Sequence, residues 1–117
     1  MALVLQTIDV KETEADVALV NGKHVRAFDT YSNALANTTT GLVAIESLDV
    51  LTGNSGGAIT QDATCGLAVD SNGMLNFFVD DANAEIYLYP ISNVDLETKV
   101  PVNSFGRWGG PLRIVVA

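Results

Sequence analysis

The chain is predicted to be all-β, a single-domain antiparallel sandwich or barrel of about 7–8 strands spanning residues 1–117. Three observations predict it. Short runs rich in Val, Ile, Leu and aromatic residues are separated by turn residues at intervals of about 8–15 positions. Two Asn-Gly pairs, Asn21-Gly22 and Asn72-Gly73, sit between such runs. Both ends of the chain are apolar, as strands zipped into a sheet would be.

Residues 1–10 read as the first strand from their apolar character. Residues 11–14 are a charged turn. Residues 16–20 and 23–28 then read as a hairpin closed by Asn21-Gly22, which fits the two positive-φ positions of a type I′ turn. That register opposes Val20 to Lys23, Leu19 to His24, Ala18 to Val25 and Val17 to Arg26. One face then carries Val17, Leu19, His24, Arg26 and Phe28, and the other Ala18, Val20, Val25 and Ala27. Both faces are mixed, so partial cover is expected on each side.

Residues 31–36 fit a helical turn and residues 37–41 a loop. Residues 42–51 are ambiguous: Leu42, Ile45, Leu48 and Leu51 repeat at helical spacing, while the β-branched content and the Gly-rich stretch that follows favour a strand. A second hairpin is expected from residues 65–71 and 74–79 about Asn72-Gly73. A polar turn at 80–84 follows, then the sharp alternation Glu85-Ile86-Tyr87-Leu88-Tyr89 before Pro90. Residues 94–102 read as strand or extended loop, residues 103–110 as a Gly-rich loop, and residues 112–117 as the last strand.

Composition excludes several functions. Six Lys+Arg stand against 14 Asp+Glu, for a net charge of −8, and the basic residues Lys11, Lys23, Arg26, Lys99, Arg107 and Arg113 form no cluster. Nucleic acid and anionic membranes both need clustered cations, so neither is an expected partner. No apolar run reaches the ~20 residues of a membrane helix. The first residues lack the basic start of a secretory signal. The one cysteine, Cys65, lies in Gly66-Leu67-Ala68 and reads as a buried, inert thiol.

The residues that carry chemistry are sparse. Gly53-Asn54-Ser55-Gly56-Gly57-Ala58 resembles the nucleophile loop of trypsin-like serine proteases, which implies His24 and Asp29 as base and orienting acid. Those enzymes need two six-stranded barrels, which this length does not provide, so the stretch reads as a loop between strands. Residues 80–85 place carboxylate and amide oxygens as a calcium loop does, but Ile86 and Ser92 stand where an EF-hand needs glycine and glutamate. A solvated turn is the simpler reading, and a looser calcium site stays open. His24 has no second histidine for a zinc site. No catalytic residue, metal ligand or cofactor is therefore assigned. In Phe105-Gly106-Arg107-Trp108-Gly109-Gly110-Pro111, Phe105, Arg107 and Trp108 have the composition of an interface anchor. Trp108 could equally fill the core or stack on a sugar.

Hydrophobic residues make up 48% of the chain and charged ones 17%, with a mean hydropathy of +0.26, more apolar than a free domain this small needs. Neighbouring molecules are expected to cover the excess, as in a homo-oligomer. The apolar first strand, the Thr/Asn/Gly/Ser-rich linkers at 37–41 and 53–57, the scarce basic residues and the strand ending at Ala117 together resemble the small head-decoration (cement) proteins of tailed bacteriophages. The resemblance implies a non-enzymatic virion structural protein, often a trimer, bound to the major capsid protein on the capsid surface. The alternative class is a carbohydrate-binding or adhesion module, such as a lectin or tail-fibre domain, with Trp108, Tyr87 and Tyr89 as stacking faces.

Overall fold

Two four-stranded antiparallel sheets enclose one apolar layer in the computed structural model, which describes residues 2–10, 22–91 and 110–116. The strands are β1 (Leu3–Asp9), β2 (His24–Phe28), β3 (Ile45–Leu48), β4 (Ser55–Ala58), β5 (Leu67–Ala68), β6 (Met74–Asp80), β7 (Glu85–Pro90) and β8 (Leu112–Val115), with one short helix, α1 (Tyr31–Ala36). The first sheet has the order β1-β6-β3-β4 and the second β5-β2-β7-β8. The expected all-β sandwich is the observed architecture.

Alternation in the sequence becomes alternation in burial. In β6, Leu75, Phe77 and Val79 are buried while Met74, Asn76, Phe78 and Asp80 are half-buried, and in β7 Ile86 and Leu88 point inward between Glu85, Tyr87 and Tyr89. Successive side chains of a strand leave opposite faces of the sheet, so one set meets the core and the other lines the outside. Val25, Ala27, Ile86 and Leu88 of the second sheet meet Ile45, Leu75, Phe77 and Val79 of the first, with Val4, Ile8, Leu112 and Ile114 packed at the margins. Two of the four edge strands, β1 and β8, come from the apolar ends of the chain.

The second sheet has a further layer. β2 is buried on both faces, with Val25, Ala27 and Phe28 fully covered and Arg26 only 2% exposed. Val25 and Ala27 face the core, whereas Arg26 and Phe28 face outward beneath α1 and the loops at 37–41 and 59–66. α1 starts at Thr30, whose hydroxyl accepts from the Asn33 N–H, and ends at Asn37 in the left-handed conformation (φ 56°).

Four local expectations need correction or placing. Ser55–Ala58, read as loop, is strand β4, recruited by pairing with β3 through Glu46–Ala58 and Leu48–Ser55. Residues 42–51 form a shorter strand than expected: Leu42 makes an isolated bridge to Phe28, and Val50 and Leu51 lie in the β3–β4 turn. At the second Asn-Gly the reversal exists, closed by the Gly73 N–H donating to the Asp70 carbonyl at 3.0 Å with Gly73 at φ 76°. Its arms part, however: Leu67–Ala68 pairs with β2, and Met74–Asp80 pairs with β1 and β3, so the turn links the two sheets. In the first hairpin only Gly22 (φ 77°) and β2 are described; residues 16–20, Asn21 and the expected strand at 94–102 lie outside the described residues. Val25 has Leu67 on one side and Pro90 on the other, so both its ladder positions belong to β5 and β7.

Candidate interaction surface

Of the residues singled out from the sequence, Phe105, Arg107 and Trp108 lie outside the described residues. The protease-like set does not assemble. Ser55 is in the first sheet and donates its hydroxyl to Glu46 Oε1 at 2.6 Å, while His24 is in the second sheet with Nδ1 against the Gly66 backbone (3.0 Å to the carbonyl oxygen, 3.1 Å to the amide nitrogen). Asp29 accepts from the Asn33 side-chain amide at 2.7 Å. Each group is committed to a structural bond, and none of the three faces another.

The carboxylates of the 80–85 turn are likewise occupied by protein donors. Asp80 accepts from the Ala82 N–H at 2.9 Å and Asp81 from the Ala2 N–H at 3.1 Å. Glu85 pairs with Arg113 at 2.5 Å and accepts from the Tyr87 hydroxyl at 3.1 Å. Arg113 and, secondarily, Tyr87 hold the Glu85 carboxyl below its ordinary pKa, and the same contact raises Arg113. Among the described residues no group of three or more His, Cys, Asp or Glu converges as a metal site would require. Cys65 is half-buried rather than buried, because its loop runs along the sandwich edge, where Asp62 accepts from the Cys65 N–H at 2.8 Å.

The outer face of the second sheet centres on Arg26. Its guanidinium donates to the Asp62 carbonyl at 3.0 Å, the Asn37 carbonyl at 2.9 Å and Asn37 Oδ1 at 2.7 Å, and lies 5.6 Å from the Phe28 ring centroid. Burial lowers its pKa and the Asp62 charge opposes that shift. Arg26 thus ties two loops to the sheet through neutral acceptors. Tyr31 stacks edge-on against Tyr87, with centroids 6.0 Å apart. This face is already roofed.

The outer face of the first sheet is not roofed by any described residue. Leu5 stands opposite Phe78, and Leu3 opposite Asp80. Leu3 and Leu5 are 44% and 43% exposed. At the far end of the same sheet, the β3–β4 turn presents Val50 and Leu51 at 84% and 93% exposure. This turn is built firmly: the Asp49 N–H donates to the Asn54 carbonyl and the Gly53 N–H to the Asp49 carbonyl, both at 2.8 Å. The Leu51 N–H is held by Asp49 Oδ1 at 2.9 Å. A turn whose backbone is already held this way has less backbone freedom to lose when its two aliphatic side chains are covered. The signal for this tip was present in the sequence as Asp49-Val50-Leu51-Thr52-Gly53-Asn54, but the β-branched content of residues 42–51 and the Gly-rich stretch after them placed Val50 and Leu51 in a strand. β8 adds Val115 at 59% exposure. Among the described residues, no helix is long and apolar enough to cross a membrane.

Comparison with protein-family models, curated proteins and solved structures finds no match to this chain.

Proposed function

We propose that this chain is a non-enzymatic structural protein that works through protein–protein interfaces, as a decoration or cement protein of a viral capsid. The supporting observation is the set of aliphatic side chains held outside the core on rigid backbone: Leu3 and Leu5 on β1, Val50 and Leu51 on a hydrogen-bonded tip, and Val115 on β8. Uncovered aliphatic groups on an ordered frame gain free energy only when another surface removes them from water. The net charge of −8 and the absence of clustered cations direct that surface toward protein rather than phosphate. Reactive side chains such as Ser55, His24 and Asp29 serve the frame itself.

The test is co-sedimentation of the purified protein with assembled bacteriophage capsids. A glycan array run in parallel addresses the carbohydrate-binding alternative. Saturable capsid binding with a blank array supports the proposal. Glycan binding without capsid binding overturns it.

A further inference from the structure

We propose that β1 is a docking edge for β1 of a second copy of this chain, running antiparallel and centred on Leu5. The pairing rests on the interface reading above and names one of its surfaces.

The direction of the backbone groups decides which edge is open. At one end of the β1–β6 ladder the Ala2 carbonyl accepts from the Asp81 N–H at 2.8 Å, and at the other the Val10 N–H donates to the Gly73 carbonyl at 2.8 Å. Both are even-numbered residues, and the register between them is unbroken from Leu3–Asp80 to Asp9–Met74. Backbone polar groups alternate in direction along a strand, so Val4, Gln6 and Ile8 turn theirs to β6. Leu3, Leu5 and Thr7 turn their N–H and C=O groups away from it. β1 ends the sheet, and no strand of the described residues lies on that side.

Natural sheets guard such edges with Lys, Pro or a bulge. Leu3-Val4-Leu5-Gln6-Thr7 carries none of these and no charge at all. An antiparallel pair about Leu5 sets Leu5 on Leu5 and Leu3 on Thr7, all residues whose backbone groups face outward. It forms on the order of six main-chain hydrogen bonds between the copies. On the outer face it joins the Leu5–Phe78 rows of both copies into one apolar stripe. The two Asp9 carboxylates fall at opposite ends of the pair, so they do not meet each other. The result is a continuous sheet across a two-fold axis, a dimer rather than the trimer that the decoration-protein resemblance implies. A single strand edge buries less than a standard interface, so the pairing is expected to be weak and to depend on concentration.

Sedimentation equilibrium of the full chain tests this with three variants. Leu5→Pro removes an N–H that points away from β6, so it blocks the edge without breaking the β1–β6 ladder. Leu5→Lys places a charge on the edge and leaves the backbone unchanged. Leu5→Cys, combined with Cys65→Ser, sets two thiols across the two-fold axis. The expected results are a wild-type dimer, monomeric Leu5→Pro and Leu5→Lys proteins with near-wild-type melting, and a disulfide-linked Leu5→Cys dimer under mild oxidation. The proposal is overturned by a wild type that stays monomeric, or by an oligomer whose mass Leu5→Lys leaves unchanged. In the second case the capsid-binding reading stands, because co-sedimentation tests it separately.

Discussion

Replacing Arg26 by methionine removes the guanidinium while keeping most of the side-chain volume against Phe28. Arg26 is 2% exposed, and its guanidinium makes three hydrogen bonds, to the Asp62 carbonyl and to the Asn37 carbonyl and Oδ1, at 2.7–3.0 Å. A hydrogen bond to a charged group contributes roughly 1.5–3 kcal/mol. Two effects reduce the sum: the acceptors sit on surface loops that water can reach, and the variant no longer buries a cation. A net loss of about 3 kcal/mol is expected, at the low end of the range for breaking a buried charged contact. With an unfolding entropy of about 2.1 cal/mol/K per residue over 117 residues, Tm falls by roughly 12 °C. Urea unfolding and thermal melting measure the loss, and amide exchange locates it. Protection should fall at the Asn37 N–H, which donates to Asn33, and at the Gly66 N–H, which donates to His24. A loss under about 1 kcal/mol, near the median for an ordinary substitution, would refute the role given to Arg26.

Three further outcomes are expected. Gly66→Ala drives a Cβ into the Val25 carbonyl oxygen, a backbone obstacle that cannot swing aside, and lies 3.1 Å from Arg26 Cγ; it should cost about 1–3 kcal/mol by urea unfolding. The Asp62 carboxyl is held below its ordinary value of 3.8, first by the Thr64 and Cys65 N–H groups. As pH falls the unfolded chain takes up this proton before the folded one, so the contribution is complete above about pH 4 and is lost in stronger acid. Asp62→Asn, which retains an oxygen acceptor, should be less stable than wild type at neutral pH and converge with it in acid, as pH-dependent urea titrations would show. Val50→Ser with Leu51→Ser should leave unfolding within about 0.5 kcal/mol of wild type, since both side chains are in water, yet weaken capsid co-sedimentation.

Much of the fold was legible in the sequence. β7 follows from its sharp alternation, β1 and β8 from the apolar and β-branched runs at the two ends, and β6 from the apolar run after Asn72-Gly73. β4 was not: Ser55-Gly56-Gly57-Ala58 has little intrinsic strand preference and becomes one because β3 supplies a ladder. Turn chemistry at Asp70–Gly73 announces a reversal, but which sheet each arm joins depends on distant partners, β2 for Leu67 and β1 with β3 for Met74 onward. The mixed faces of β2 did foretell cover on both sides, which Arg26 and Phe28 realise. The outward surface was less legible. The apolar run at residues 1–10 marks a strand without saying that Leu3 and Leu5 lie on an open face. The strand reading of residues 42–51 hid the tip at Val50 and Leu51.

The central claim is that this protein's aliphatic exterior is made to be covered by other protein. The mass of the unmodified protein in solution, followed by sedimentation equilibrium from dilute to concentrated samples at physiological salt, tests it most directly. A mass rising with concentration to a defined multiple of 12.3 kDa is the expected result. A single 12.3 kDa species at every concentration that also fails to co-sediment with capsids would contradict it.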